Sequence, residues 1–144
     1  QVGRTADLQV IDDPAEQFRY EVDVAWATRT SPDDKARYPR ADYTLGPNFL
    51  TSLAAVEGID RAKICQVVVD VLTGRVHDIP ARQTHQLRSG MGGNDPTVTA
   101  ADGALYWRVS LQHKTPQARR LHYVQNHDGS VLLSSIRKHD DFRP

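Results

Sequence analysis

The chain contains 144 residues, a length that fits one domain of ordinary size. Eighteen Lys and Arg residues balance eighteen Asp and Glu residues, and 39% hydrophobic content is typical of a folded rather than a disordered chain. No apolar run approaches the ~18 residues that cross a bilayer, and no secretion signal is visible. A single cysteine excludes an intramolecular disulfide and a cysteine-rich zinc site.

Charge is distributed unevenly along this neutral chain. Residues 1–38 carry a net charge of −3, whereas residues 75–144 carry +4 and contain all six histidines. Local charge influences the choice of partner more than the total does. The neutral sum therefore does not exclude an anionic partner such as RNA.

The first structural pattern lies in residues 18–26, where apolar and polar residues alternate. A period of two predicts a half-buried strand. Residues 30–40 have no apolar period and are interpreted as a linker. We therefore expect an acidic extension with one amphipathic strand at 1–38 and a main domain at 39–144. The extension could add to a sheet edge, cover a functional face, or simply enlarge the sheet and core.

Two helices are predicted after a short strand at 41–45. The first spans about 49–56, after Pro47, and ends at Gly58. The second begins after Asp60, whose carboxylate is expected to cap it, and ends at Gly74. Its apolar residues recur at helical spacing, which favours a helix over a strand at 67–69.

The remainder of the chain predicts a sheet. Residues 88–103 are loop-like, with a short strand at 97–99, and strands follow at 105–111, 120–125 and 131–136. Asp128-Gly129 is typical of a tight hairpin turn between the last two. The predicted class is α+β, with a helical hairpin packed on one face of a twisted antiparallel sheet and an extra strand at the amino-terminal side.

Strand alternation places basic side chains on the other face of this sheet. If Trp107, Val109, Leu121 and Tyr123 face the helices, the residues between them point away. The open face would then carry six basic residues, namely Arg108, Arg120, His122, Arg137, Lys138 and His139. The last three lie near the end of the last strand. Arginine and histidine suit phosphate binding and metal-independent cleavage of RNA through its 2′-hydroxyl.

Simpler interpretations apply to the same residues. An exposed sheet face carries Arg, Lys and His for solubility alone. The histidine spacings match no common zinc signature, so we expect no metal and no other cofactor. Cys65 is interpreted as a small buried thiol rather than a nucleophile. The glycines at 90–93 are expected to form a mobile loop that could become ordered on RNA, not a phosphate-cradling loop.

The order of motifs over residues 40–144 resembles the RelE/ParE superfamily of toxins from bacterial type II toxin–antitoxin systems, in particular its RelE and YoeB-like ribonuclease branch. The resemblance is carried by the motif order rather than by any single motif. The motifs are His-Gln-Leu-Arg-Ser-Gly at 85–90, Trp-Arg-Val-Ser-Leu at 107–111, Arg-Leu-His-Tyr at 120–123, Asp-Gly at 128–129 and Ile-Arg-Lys-His-Asp-Asp-Phe at 136–142.

The resemblance implies a small α+β protein that cuts messenger RNA without a metal, often in the ribosomal A site, and that binds a cognate antitoxin in the cytoplasm. It implies that Arg108 binds phosphate, that Arg120 begins the next strand as a second basic site residue, and that His139 is catalytic. His85 and Arg88 stand where the family often has basic residues in the segment that enters the sheet, so we expect them to contact RNA. We expect His122, Arg137 and Lys138 to bind RNA beside them.

Two other kinds of function stay open at this stage. One is a non-catalytic module with a RelE/ParE-like fold that inhibits a protein target such as gyrase. The other is a toxin domain at the carboxy-terminal end of a larger secreted protein, which would account for a chain that does not begin with Met. No membrane partner is expected.

Overall fold

The computed structural model describes residues 11–113, 115 and 118–144. It is an α+β fold with a five-stranded mixed sheet. The helices are α1 (Pro14–Arg29), α2 (Pro32–Arg37), α3 (Phe49–Ala54) and α4 (Arg61–Leu72), and short 3-10 turns lie at Arg75–Asp78 and Pro80–Arg82. The strands are β1 (Tyr43–Leu45), β2 (His85–Gln86), β3 (Leu105–Ser110), β4 (Arg119–Gln125) and β5 (Val131–Lys138). Within these residues, no helix has the length and apolar character needed to cross a membrane.

The strand predicted at 18–26 is wrong, because this segment is the middle of α1. The Asp13 carboxylate accepts hydrogen bonds from the amides of Ala15 and Glu16, and Pro14 occupies the first turn. These are signals of a helix start that the alternating pattern obscured. Phe18 and Val22, four residues apart, are both fully buried, as one helical face requires.

The amino-terminal helix belongs to the main core. α1 packs against α4, and its buried face joins the same apolar cluster as Phe49 of α3 and Leu121 of β4. Glu21, 9% exposed, accepts two hydrogen bonds from the Arg61 guanidinium at 2.9 and 3.1 Å. The described part of the predicted extension therefore enlarges the core, as a helix, and neither joins the sheet edge nor covers the basic face. Residues 1–10 lie outside the described residues.

The segment predicted as a linker, 30–40, contains the short helix α2, which Ser31 caps by accepting a hydrogen bond from the Asp34 amide at 3.1 Å. The two later helices are confirmed. α4 ends at Leu72, and Gly74 follows with a φ of +76°, a conformation that favours glycine. Asp60 precedes the first residue of α4 as expected, but the predicted capping by its carboxylate is wrong, since its side chain makes no hydrogen bond to the first turn.

The sheet order is β1-β5-β4-β3-β2. β1 runs parallel to β5, so the expectation of a purely antiparallel sheet is wrong; the other neighbours are antiparallel. Gly129, with a φ of +90°, closes the predicted β4–β5 hairpin. The segment at 97–99 forms isolated bridges to Arg88 and Leu105 rather than a strand. α3 and α4 cover one sheet face, and the predicted inward side chains of β3 and β4 point to that core.

Candidate nucleic-acid interface

Side chains that point away from the helices form rows across the uncovered sheet face. Strand register pairs His85 of β2 with Arg108 of β3, Arg108 with His122 of β4, and His122 with Ser135 of β5. The same register places Arg120 of β4 in the next row. This arrangement follows from the period of two in each strand, and it confirms the predicted orientation of Arg108 and Arg120.

A cleft of about 750 Å³, here called the basic cleft, opens on this face. Five of the eight site residues predicted from the sequence line it, namely His85, Arg88, Arg108, Arg120 and His139. The other lining residues are Thr84, Gln86, Gly90, Met91, Gly92, Gly93, Trp107 and Phe142. None of these lining residues is acidic, so the cleft presents cationic side chains to a bound anion.

The two central arginines have no carboxylate partner among the residues that the structure describes. Arg108 is only 8% exposed; one terminal nitrogen donates to the His139 carbonyl at 2.9 Å, and its Nε has no hydrogen-bond partner within the described residues. Within the described part of the chain, Arg120 donates to two backbone carbonyls, those of Gln112 and Arg119, at 3.3 and 3.4 Å. An anion in the cleft would supply the missing negative charge.

Electrostatics of the pair support the same interpretation. Burial lowers the pKa of Arg108, and the like charge of Arg120 lowers it further. The pKa of Arg120 is lowered by burial. Both groups nevertheless remain cations, because arginine does not lose its proton in proteins. A phosphate between them would offset the desolvation and the mutual repulsion together.

The two histidines of the cleft differ in their surroundings. His85 is exposed, and its Nδ1 lies 3.0 Å from the Gln86 carbonyl. A carbonyl can only accept, so Nδ1 donates and Nε2 of the neutral ring is left as an acceptor. His139 is half-buried at the end of β5, where its amide donates to Ala118 and its carbonyl accepts from Arg108. Arg108 therefore also fixes the backbone that presents His139.

The sheet face is not fully open, because residues 139–144, here called the strap, cross it. Arg143 and Pro144 contribute backbone oxygens that accept hydrogen bonds from His122 Nδ1 at 2.7 Å and Ser135 Oγ at 2.9 Å. Phe142 lies with its ring centre 5.6 Å from the Arg108 guanidinium carbon. The strap thereby separates the face into two parts.

Three predicted site residues consequently lie away from the basic cleft. The expectation that His122 projects into solvent is wrong, because the strap covers it and leaves it 0% exposed. Arg137 and Lys138 line a separate cleft of about 340 Å³ on the other side of the strap. Arg137 also donates to Pro144 at 3.1 Å and lies 3.9 Å from the Asp141 carboxylate, so the strap occupies its guanidinium.

His122 makes folding stability depend on pH. Its pKa is lowered from 6.5 to about 4, mainly by burial; the charges of Arg108 and Arg137 also lower the pKa, while the hydrogen bond to Arg143 and the charge of Asp141 raise it. Between pH ~4 and pH ~6.5 the unfolded chain therefore binds more protons than the folded chain. The contribution of neutral His122 to folding stability is complete above pH ~6.5 and is lost as pH falls toward ~4. We expect urea denaturation to show that the free energy of unfolding falls by about 2 kcal/mol when the pH is lowered from about 7.5 to about 5.

The control for this prediction is His122→Asn, whose amide can still donate to Arg143 but does not titrate. Apart from the pH dependence contributed by titrating groups that both proteins share, the free energy of unfolding of this variant should change by less than about 0.5 kcal/mol through the same pH interval. An equal pH dependence in the two proteins would contradict the buried, neutral state of His122.

Other chemistry at the site is limited. Cys65 is buried as predicted, and burial raises its pKa to about 12, which disfavours a nucleophilic thiolate. Across residues 11–113, 115 and 118–144, no group of three or more His, Cys, Asp or Glu side chains is placed to hold a metal ion. Met91 and Phe142 also line the cleft but were not predicted from the sequence. The available signals were the position of Met91 as an apolar residue among loop glycines and the position of Phe142 as an apolar residue after the last strand.

Comparison of the chain with models of known protein families, with curated proteins and with solved structures gave no match. The functional interpretation of the basic cleft therefore depends on its geometry and charge, together with the order of motifs along the chain.

Proposed function

We propose that this protein is a RelE-like toxin, an endoribonuclease that cleaves messenger RNA by attack of the ribose 2′-hydroxyl on the adjacent phosphate. The observation that carries the proposal is the basic cleft. Its lining has no acidic side chain, and it holds two histidines and two arginines that have no carboxylate partner in the described part of the chain. RNA offers the repeated phosphates that such a cleft suits.

Arg108 and Arg120 hold the scissile phosphate in this proposal. Negative charge builds up on its oxygens as the 2′-oxygen bonds to phosphorus. The Arg108 guanidinium is already fixed by the His139 carbonyl, so little reorganisation is needed when charge develops. Arg88, which donates to the Asp95 carbonyl at 2.8 Å, provides a third cation at the cleft for a neighbouring phosphate.

Proton transfer is assigned to the histidines. One group must accept the 2′-hydroxyl proton as the oxygen–phosphorus bond forms, and another must give a proton to the departing 5′-oxygen as its bond breaks. His139 acts in this transfer, and His85, with Nε2 available, supplies the second imidazole. The products are a 2′,3′-cyclic phosphate and a 5′-hydroxyl end, and no step uses a metal ion.

Partners and location form part of the same proposal. Messenger RNA presented in the ribosomal A site is the proposed substrate. A cognate antitoxin protein is the inhibitor, and the cytoplasm is the site of action. The absence of acidic side chains from the lining of the basic cleft is compatible with an RNA-bound state and with an acidic antitoxin segment in the same place.

The test uses purified protein with ribosomes and a labelled messenger RNA, in a buffer that contains the Mg²⁺ that ribosomes require. We expect cleavage by the wild type, and we expect His139→Ala to reduce its rate by at least about a hundredfold because proton transfer is lost. His127→Ala is the matched control, since this exposed histidine lies in the β4–β5 turn, at the other end of β4 from Arg120.

Replacing the 2′-hydroxyl at the cut site by hydrogen should abolish cleavage at that position, because the nucleophile is removed. Cleavage that survives this replacement, or wild-type activity in His139→Ala, would contradict the proposed reaction.

A further inference from the structure

Met91 stands out among the residues of the basic cleft. Within the described residues it is the one large hydrophobic side chain that is exposed, with 83% of its surface in solvent. It nevertheless lines a cleft that is otherwise rich in cations. A thioether in such a place adds nothing to phosphate binding, so its position calls for an apolar contact in the bound state.

The loop that carries Met91 has a defined shape that does not depend on Met91. Ser89 donates its amide to the Pro96 carbonyl at 2.9 Å, and Gly92 donates to the Asp95 carboxylate at 2.9 Å. A Cβ at Gly90 would lie 2.6 Å from the same carboxylate, so a side chain at this position would displace Asp95 from its place against the loop. The loop therefore presents Met91 to the cleft without using its side chain for packing.

A second apolar side chain reaches the cleft from the strap. Phe142 lines it, and its ring lies against the Arg108 guanidinium at 5.6 Å. Cationic groups and apolar groups thus border one space. A nucleotide has the same division, with a charged phosphate joined to a flat base whose faces favour stacking and apolar contact.

We propose that Met91 contacts the nucleobase beside the phosphate held by Arg108 and Arg120, and that it is a specificity-determining residue of the cleft. This inference depends on the proposed function, because it takes RNA as the ligand. It assigns base recognition to the loop at 89–96 and phosphate recognition to β3 and β4. Loss of Met91 should therefore weaken binding of the base and leave binding of the phosphate unchanged.

The experiment measures binding, not cleavage. The probe is a fluorescent RNA of about ten nucleotides with a single 2′-deoxy nucleotide at the cut site, compared with copies that carry one abasic nucleotide on either side of that phosphate. For the wild type, we expect removal of one base to weaken binding by about tenfold. For Met91→Ala, the intact probe should bind about tenfold more weakly, and removing that base should have no further effect.

Two comparisons separate this inference from the proposed function. Met91→Leu keeps an apolar side chain of similar size and should retain most of the difference between intact and abasic probes. Inorganic pyrophosphate should displace the intact probe from the wild type and from Met91→Ala with the same affinity, because the arginines are unchanged.

The inference is overturned if Met91→Ala keeps the full discrimination between intact and abasic probes, or if the wild type binds both probes equally while pyrophosphate still competes. That second result would leave the phosphate site intact. If neither RNA nor pyrophosphate binds to the wild type, the proposed function and the inference both fail.

Discussion

Arg108→Ala is expected to lower the rate of RNA cleavage by about 10²–10³-fold, the range found when one preorganised donor to a developing negative charge is removed. The loss should lie at the upper end, because Arg108 has two tasks. Its guanidinium faces the cleft, and one of its nitrogens also donates to the His139 carbonyl at 2.9 Å. Arg120→Ala should cause a loss of similar size, since Arg120 is the second cation of the pair.

Conservative variants test the physical reason for this loss. Arg108→Lys keeps the positive charge but loses the planar fork of donors, so it should recover only part of the activity. Arg37→Ala provides the matched control, because Arg37 is an exposed arginine at the end of α2. Its cleavage rate should stay within about twofold of the wild type.

The rates are to be measured in single turnover with ribosomes and labelled messenger RNA, after thermal unfolding has confirmed that each variant is folded. Activity of Arg108→Ala or Arg120→Ala equal to that of Arg37→Ala would remove these residues from the site.

Phe18→Ala is expected to lower the free energy of unfolding by about 4 kcal/mol, a typical cost for truncating a buried aromatic residue. Phe18 is 0% exposed, and its ring packs edge-on against Phe49 with 5.1 Å between centres. A loss of this size approaches the whole stability of many domains. The amino-terminal helix is therefore required for the fold that carries the basic cleft.

Tyr20→Ala is the informative control for Phe18→Ala. A strand would place residues 18 and 20 on one face, whereas α1 places Phe18 in the core and leaves Tyr20 half-buried. Tyr20→Ala should cost no more than about 1.5 kcal/mol in urea denaturation. Equal costs for the two variants would contradict the helix.

The comparison between Phe18 and Tyr20 also shows why sequence reasoning failed at this segment. Five residues at alternate positions, from Phe18 to Trp26, satisfy a period of two, but Phe18, Val22 and Ala25 of the same segment satisfy a helical period. The Asp13-Pro14 pair could have decided between them. At α4, the helical spacing agreed with the glycine that follows the helix, and the prediction of a helix was confirmed.

Most of the candidate site followed from local patterns. Alternation in β3 and β4 correctly placed Arg108 and Arg120 on the face away from the helices. The strap could not be predicted in this way, because it binds His122 and Ser135 through its own backbone oxygens. Backbone acceptors are the same for every residue type, so no side-chain pattern in 139–144 indicates that this segment crosses the sheet.

The parallel pairing of β1 with β5 was unpredictable for a related reason. Its register, Tyr43 with Val131, joins strands more than eighty residues apart, and β1 is only three residues long. Short strands carry too few residues to indicate their neighbour or direction.

The central claim is that the basic cleft cuts RNA. It is tested most directly by mapping messenger RNA ends in cells that express the wild type or Arg108→Ala/Arg120→Ala, with primer extension and detection of 5′-hydroxyl ends. The account predicts discrete new 5′-hydroxyl ends and growth arrest with the wild type, and neither with the double variant, at equal amounts of folded protein. Growth arrest without new RNA ends, or identical ends in both samples, would contradict it.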